Sequence, residues 1–261
     1  MTFCTHNGRT ISYRLLGQTS NPLLVLAHPL GMTQGIWDDM LPELLGKFRV
    51  LTWDLPGHGA SSAWAEGSDA IEAEDLAQEA LSLAKLAGAD SFHFAGTSIG
   101  GVIGQQLLSQ HADKLLSATL TNTGPVIGTP DGWLQRSADV MEQGLVAMAE
   151  GIVPRWFGPR ACEQQPALVE GWRVQLGRTD KRSYALLCEM LGRCNFSDAF
   201  KGKKLPKVQV IAGTDDVATP PSALEALSAA LGVAAPVVWE IGHVPAVESP
   251  EKMVEVFKQL V

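Results

Sequence analysis

The sequence predicts an α/β fold with a mostly parallel central sheet flanked by helices and an inserted helical cap. The first observation is that short apolar runs alternate with amphipathic helical stretches, as in strands joined by crossover helices. The second is that this alternation stops between residues 125 and 204, where only helical patterns occur. We therefore expect residues 1–124 and 205–261 to form the sheet core and residues 125–204 to form the cap.

In the first half of the core, the continuous apolar run Leu23–Ala27 indicates a strand buried on both faces, and Arg49–Trp53 is expected to be another buried strand. The alternating segment Arg9–Leu16 is expected to be an edge strand. The spacing of apolar residues predicts helices over residues 37–45 and 70–86, and the second is long and amphipathic.

A strand over residues 91–95, a sharp turn and a helix over 102–109 come next, followed by a strand over 115–120. The cap is expected to contain helices over residues 133–149, 167–176 and 182–192. Strand patterns return at 208–212 and 236–240, with helices over 221–230 and 250–260. The cap is thus predicted to be an insertion between two strands of one sheet.

Composition limits the classes of partner. Of 261 residues, 46% are hydrophobic and 18% are charged, which supports a sizeable core and argues against disorder. A net charge of −8 without a run of Lys or Arg argues against nucleic acid and anionic membranes. No apolar stretch is long enough for a bilayer, and the first residues do not resemble a secretory signal. We expect a cytoplasmic protein that acts on a small molecule, and the oligomeric state stays open.

The four cysteines, Cys4, Cys162, Cys188 and Cys194, form no C-x-x-C pair and have no His at metal-ligand spacing. We therefore expect reduced thiols and no metal site. A Cys188–Cys194 disulfide is the one pairing that the sequence leaves open.

Ser98 is the candidate nucleophile. It lies in Gly96-Thr97-Ser98-Ile99-Gly100-Gly101, between the strand over 91–95 and the helix over 102–109. A G-x-S-x-G pattern at such a junction is typical of a nucleophile elbow, in which glycines make room for a strained turn that exposes the hydroxyl. The alternative interpretation of this motif by itself is a turn softened by glycines.

The acid and the base of a triad are expected after the nucleophile, in that order. Asp216 follows the strand over 208–212, and His243 follows the strand over 236–240. His243 would take the proton of Ser98, and a carboxylate would orient the imidazole. Asp215 is the alternative acid. Thr219 and Pro220 are expected to cap and begin the next helix, which places Asp216 on the loop before it.

An oxyanion formed at Ser98 needs two backbone N–H donors. Ile99, directly after the nucleophile, is expected to supply one, and Leu30 the other, because Pro29 has no N–H. His28 is interpreted as an organiser of its loop. His58 is interpreted as structural, with Asp54 holding the same loop by hydrogen bonds.

These residues resemble a known superfamily over nearly the whole chain. Ser98, Asp216 and His243 in this order, with His28-Pro29-Leu30-Gly31 and Gly57-His58-Gly59-Ala60-Ser61, are similar to the α/β-hydrolases. Within them the sequence is most similar to the 3-oxoadipate enol-lactonase branch. The supporting stretches are Leu30-Gly31, Gly35-Ile36-Trp37-Asp38, Thr121-Asn122-Thr123-Gly124, Trp133-Leu134-Gln135-Arg136, Arg155-Trp156-Phe157 and residues 184–191.

The resemblance implies hydrolysis of the enol-lactone of the β-ketoadipate pathway of aromatic breakdown, with no metal and no organic cofactor. It also implies a substrate that bears a carboxylate, for which Trp133 and Arg136 are the candidate binding residues. The alternative interpretation is that Trp133 packs in the cap and Arg136 is a solvated charge.

Three departures from this branch bear on lactone specificity. Pro29 stands where Ser is usual, Pro56 where Arg is usual, and Val244-Pro245-Ala246 where Leu-Ser-Asn is usual. None is the nucleophile, the acid or the base. Three other functions stay open: a broad carboxylesterase, a C–C bond hydrolase of ring-cleavage products, and a triad-bearing small-molecule receptor.

Overall fold

The computed structural model describes residues 2–261, and these form an eight-stranded sheet. The strands are β1 (Thr2–His6), β2 (Arg9–Leu16), β3 (Leu23–Ala27), β4 (Arg49–Trp53), β5 (Phe92–Thr97), β6 (Leu115–Thr121), β7 (Lys207–Gly213) and β8 (Val237–Trp239). In space they follow the order β1-β2-β4-β3-β5-β6-β7-β8. The pairings β1–β2 and β2–β4 are antiparallel, and all others are parallel. The predicted mostly parallel α/β sheet is confirmed.

Helices cover both the connections of the sheet and the segment between β6 and β7. The α-helices are α1 (Leu41–Leu44), α2 (Ala73–Leu86), α3 (Ile99–Gln110), α4 (Pro130–Gln143), α5 (Leu145–Ile152), α6 (Pro159–Gln164), α7 (Pro166–Gly177), α8 (Lys181–Arg193), α9 (Pro221–Leu231), α10 (Pro245–Glu248) and α11 (Pro250–Lys258). Short 3-10 helices lie at Gln34–Met40, Ala112–Lys114 and Val153–Trp156. We propose that the segment between β6 and β7 is the cap expected over residues 125–204, and it is called the cap below.

The first edge of the sheet differs from the prediction. Thr2–His6 forms a strand that pairs with β2 from Thr2 opposite Tyr13 to His6 opposite Arg9, so β2 is not the edge strand. The residues of β1 are exposed or half-buried, so no apolar alternation marks the strand in the sequence. Its position depends on backbone hydrogen bonds to β2.

The predicted helix over residues 133–149 is divided in two. Gly144 has a φ of 79° and lies between α4 and α5. A residue in this region of the Ramachandran plot cannot continue a right-handed helix, so α4 ends there. α8 packs against α4 and buries Tyr184, Leu187 and Cys188, which gives the cap an apolar interior.

The core lies on both faces of the central strands, and every residue of β3 and β5 is buried. Cys188 and Cys194 are free thiols, so the disulfide left open by the sequence does not form. No helix within residues 2–261 has both the length and the apolar character that crossing a bilayer requires.

Candidate active site

Ser98 lies in the turn between β5 and α3, with a φ of 58° and a ψ of −118°. A non-glycine residue adopts such a conformation only where its surroundings enforce it. The Ser98 N–H donates to the Thr121 carbonyl (3.1 Å), and the Ser98 carbonyl accepts from the Thr123 hydroxyl (2.9 Å). A Cβ on Gly96 would overlap the Gly100 carbonyl. The sequence therefore folds into a strained turn that β6 holds and that two glycines make sterically possible.

His243 and Asp216 form a hydrogen-bonded pair, with His243 Nδ1 2.8 Å from Asp216 Oδ2. Because Asp216 follows β7 and His243 follows β8, the ends of neighbouring parallel strands bring the two side chains together. The carboxylate accepts from Nδ1–H, which fixes the tautomer and leaves Nε2 able to accept a proton. Asp215 is exposed, and its carboxylate accepts from the Thr214 hydroxyl (3.3 Å). The geometry thus pairs His243 with Asp216.

Several donors stabilise the ionised form of Asp216. Its Oδ1 accepts from the N–H groups of Ala218 (2.8 Å) and Thr219 (3.0 Å), and its Oδ2 accepts from the Thr219 hydroxyl (2.6 Å). Burial acts to raise the pKa of Asp216, but His243 and these hydrogen bonds hold it well below its ordinary value. A carboxylate that stays ionised can orient the imidazole and stabilise its protonated form.

The predicted role of Thr219 as a helix cap is wrong. Helix α9 begins one residue later, with Pro220 at the N-cap and Pro221 as its first residue. The Thr219 hydroxyl and N–H both bond Asp216 instead. Asp216 still lies on the loop before α9, as the sequence predicted. The Thr219 hydroxyl donates to the Asp216 carboxylate and does not cap the helix.

Asn122 is a functional candidate that sequence reasoning missed. Its side-chain amide donates to Asp216 Oδ2 and to the Gly242 carbonyl, both at 2.9 Å. It stands in the turn after β6 with a φ of 47°, a region that Asn tolerates better than most residues. The motif Thr121-Asn122-Thr123-Gly124 was the available signal, since it follows a strand at the same edge of the sheet.

Ser98 and His243 line one cavity of about 420 Å³ between the sheet and the cap. The hydrogen bonds between described residues do not include one from the Ser98 hydroxyl to the imidazole. In an enzyme without substrate this contact is often long and tightens in the complex. The cavity therefore gives Ser98, the candidate nucleophile, and His243, the candidate base, a common space.

The backbone N–H groups of Leu30 and Ile99 are the candidate oxyanion donors. After Pro29, the Gly31 N–H donates to His58 Nε2 (2.9 Å) and the Met32 N–H donates to the Pro29 carbonyl (3.2 Å). The Leu30 N–H is therefore the remaining candidate donor in this loop. Ile99 is the first residue of α3, so its N–H has no carbonyl partner within the helix. Leu30 itself lines the cavity.

His28 and His58 use both ring nitrogens to hold two loops. His28 Nδ1 lies 2.8 Å from the Pro29 carbonyl, and its Nε2 accepts from the Leu55 N–H (3.0 Å). His58 Nδ1 lies 2.8 Å from the Pro56 carbonyl, while its Nε2 accepts from Gly31. The structural interpretation of both residues agrees with these contacts. Within residues 2–261, no group of three or more His, Cys, Asp or Glu side chains could hold a metal ion.

Asp54 holds the loop of His58 as expected. Its Oδ2 accepts from the Ala60 N–H (3.2 Å) and from the Gln34 side-chain amide (2.8 Å). Its Oδ1 accepts from the Gln34 N–H (2.9 Å). One buried carboxylate thus joins the loop after β3 to the loop after β4, next to the proposed oxyanion donor.

The cap wall of the cavity is cationic. Arg136 and Arg155 line it, and no Asp or Glu does. Neither guanidinium forms a salt bridge with any carboxylate of residues 2–261. Trp133 also lines the cavity and donates from its indole to the Ile127 carbonyl (2.6 Å). Trp133 and Arg136 therefore face the same space as Ser98, and Arg155 joins them although sequence reasoning gave it no role.

Tyr184 of α8 completes this wall. Burial raises the pKa of its phenol well above the ordinary range, against the smaller opposing effect of Arg136 beside it. The phenol is therefore a neutral hydroxyl at every pH near neutrality. Together with the guanidinium groups, it gives the wall donors suited to an anionic or carbonyl oxygen.

Comparison with known proteins agrees with the resemblance described above. A sequence model described as "Alpha/beta hydrolase family" matches residues 24–256. The 3-oxoadipate enol-lactonase 1 of Acinetobacter baylyi is 27% identical over 257 residues, 97% of this chain and 94% of that protein. The crystal structure of the enol-lactonase from Burkholderia xenovorans LB400 is 29% identical, with a TM-score of 0.92 over 99% of both chains. A hydrolase from Pseudomonas aeruginosa PA01 is 30% identical, with a TM-score of 0.92 over 99% of this chain and 97% of that one.

Proposed function

Because the chain belongs to the α/β hydrolase family, we propose that it is a serine hydrolase of small lactones or carboxylic esters that bear a carboxylate. The observation that carries this proposal is one cavity that holds Ser98, His243 and two guanidinium groups without a lining carboxylate. The similarity to enol-lactonases makes the enol-lactone of 3-oxoadipate the substrate we propose first. That compound joins a lactone carbonyl to a free carboxylate, and the cavity offers a counterpart to each.

In the proposed reaction, Ser98 Oγ attacks the lactone carbonyl carbon while His243 Nε2 takes the hydroxyl proton. The carbonyl oxygen becomes an oxyanion, which the N–H groups of Leu30 and Ile99 stabilise. Asp216 keeps the imidazole oriented and favours its protonated form. The bond from the carbonyl carbon to the ring oxygen then breaks, and the His243 proton passes to that oxygen.

The opened chain stays bound to Ser98 as an ester, and its enol becomes a ketone. A water molecule gives its proton to His243 and attacks the same carbonyl carbon. Collapse of the second tetrahedral intermediate returns the proton to Ser98 and releases the free acid. No step needs a metal or an organic cofactor.

A second Ser–His pair offers a sharp control for this mechanism. Ser117 Oγ lies 2.8 Å from His93 Nδ1, yet neither residue lines the cavity. A fluorophosphonate probe should label Ser98 and leave Ser117 unlabelled. Ser98→Ala should abolish hydrolysis of a nitrophenyl ester, whereas Ser117→Ala should keep it. Labelling of another residue, or full activity of folded Ser98→Ala, would refute the proposal.

A panel of substrates separates the carboxylated lactone from its rivals. The panel holds the carboxylated enol-lactone, its neutral methyl ester, a neutral nitrophenyl ester and a diketo acid. We expect the highest kcat/KM for the carboxylated lactone. The diketo acid as the best substrate would indicate a C–C bond hydrolase, and the neutral ester a broad carboxylesterase. Binding without multiple turnover would indicate a receptor.

A further inference from the structure

One carboxylate connects the cap to the loop that carries His243. Glu248 Oε2 accepts from the Gly158 N–H (2.8 Å), and Glu248 Oε1 accepts from the Gly242 N–H (3.0 Å). Gly158 belongs to the cap, and Gly242 directly precedes His243. A single side chain thus binds two backbone segments that are far apart in the sequence.

The two segments are also in direct backbone contact. The His243 N–H donates to the Trp156 carbonyl at 2.9 Å. A Cβ on Gly242 would overlap the Gly158 nitrogen and would lie 2.6 Å from the Phe157 carbonyl carbon. The absence of a side chain at residue 242 therefore allows the loop of the base to lie directly against the cap.

The Glu248 carboxylate has no cationic side chain as a partner among residues 2–261, since no Lys, Arg or His there forms a salt bridge with it. Its carboxylate is half-buried and is held by backbone N–H groups. Hydrogen bonds to a charged acceptor are about twice as strong as neutral ones, so the two segments are held firmly.

We propose that Glu248 is a positioning residue that fixes the His243 loop against cap residues 156–158, so that His243 keeps its place opposite Ser98. The inference rests on the role of His243 as the base that is proposed above. The cap segment that Glu248 binds at Gly158 also contains Trp156, which lines the cavity, so one carboxylate helps to align the base and part of the substrate wall. A purely structural Glu248 would affect stability and leave kcat unchanged below the melting transition.

The test compares Glu248→Gln with Glu74→Gln. The amide keeps the shape of Glu248, but its NH₂ group faces one of the two backbone N–H groups, so one link is lost. Glu74 is the control because its carboxylate accepts from Gln78 and Gln106 (both 2.7 Å) and does not line the cavity. The measurements are kcat and KM for 4-nitrophenyl acetate and the rate of fluorophosphonate labelling, on protein shown to be folded by circular dichroism.

We expect Glu248→Gln to lower kcat and the labelling rate by about tenfold to a hundredfold, since small misplacements of a catalytic group have effects of that size. KM should stay within about twofold, because a small neutral ester makes few contacts with the cap wall. Glu74→Gln should match the wild type. Unchanged kcat in folded Glu248→Gln, or an equal fall in Glu74→Gln, would overturn the inference.

A second variant crowds the contact between the two segments without removing the carboxylate. A Cβ on Gly158 would lie 3.1 Å from Glu248 Oε2 and 3.3 Å from the Gly242 nitrogen. Gly158→Ala should therefore reproduce the kinetic effect, and it decides the matter if Glu248→Gln does not fold. Failure of the proposed function gives a different result, namely full activity of Ser98→Ala or His243→Ala.

Discussion

Asn122 and Asp216 are joined by a hydrogen bond of 2.9 Å from the Asn122 amide to Asp216 Oδ2. The same amide donates to the Gly242 carbonyl, and the Asn122 N–H donates to the Ile211 carbonyl (3.0 Å). The turn after β6 therefore holds both the carboxylate and the residue before His243. Removal of this amide should loosen the Asp216–His243 pair without touching either member.

Asn122→Ala is expected to lower kcat by about tenfold with little change in KM, because Asp216 keeps its other donors but loses one anchor. The free energy of unfolding should fall by about 1–3 kcal/mol, the usual cost of an unpaired buried polar group. Steady-state kinetics and urea denaturation measure the two effects. Thr119→Val is the control, since the buried Thr119 hydroxyl has no hydrogen-bond partner. A wild-type kcat in Asn122→Ala would contradict this role.

The members of the candidate site that the sequence predicted are marked by local signals. Ser98, Asp216 and His243 each follow a strand directly, in a loop that glycine or proline distinguishes. Their convergence follows from topology, because parallel strands end at one edge of the sheet. The same logic led us to expect Leu30 near Ser98, and Leu30 lines the cavity.

Asn122 and Glu248 could not be given roles in this way. Asn122 and Asp216 are 94 residues apart, and Gly158 and Glu248 are 90 residues apart. The Asn122 amide bonds no neighbour in the sequence, and the nearby partner of Glu248, the Gly242 N–H, is a backbone group that no sequence pattern marks. The break at Gly144 was missed for a related reason, since the apolar spacing continues across it.

Replacement of glycine by alanine should have opposite effects on stability at two helical positions, Gly100 in α3 and Gly171 in α7. A Cβ on Gly100, in α3, would overlap the Ala27 carbonyl, which is backbone and cannot move aside. Gly100→Ala should therefore lower the free energy of unfolding by more than about 2 kcal/mol and reduce activity. Gly171, in α7, has open space around it. Gly171→Ala should raise stability by about 0.5–1 kcal/mol. Thermal and urea unfolding compare the two, and equal effects would contradict the steric argument.

Arg136 and Arg155 predict a selective effect on carboxylated substrates. Loss of a hydrogen bond to a charged group costs about 1.5–3 kcal/mol, so Arg136→Ala should lower kcat/KM for a carboxylated lactone by roughly tenfold to a hundredfold. A neutral ester should change little. Arg155→Ala should act in the same direction, and the double variant reports whether the two guanidinium groups bind one carboxylate. Equal losses on both substrates would make Arg136 a structural residue of the cap.

Because His58 is buried in its neutral form, we expect the protein to lose stability in mild acid. Its side chain is fully buried, and burial, with His28 beside it, lowers its pKa to about 3. The unfolded chain binds a proton below about pH 6.5 and the folded protein does not, so stability is complete above that pH and falls toward pH 3. Between pH 7 and pH 5 the free energy of unfolding should fall by about 2 kcal/mol from this group. Burial also lowers the pKa of His28, which adds a loss of the same sign.

His58→Gln isolates the contribution of this one residue, because its amide oxygen still offers an acceptor to the Gly31 N–H. Urea denaturation measures the free energy of unfolding at pH 7 and at pH 5. The loss between these two pH values should be smaller in the variant than in the wild type by about 2 kcal/mol. Between about pH 7.5 and pH 8.5 the two proteins should change in parallel, because His58 is then almost entirely neutral in both the folded and the unfolded state. If the variant loses as much stability as the wild type on acidification, His58 is not the group that titrates on unfolding.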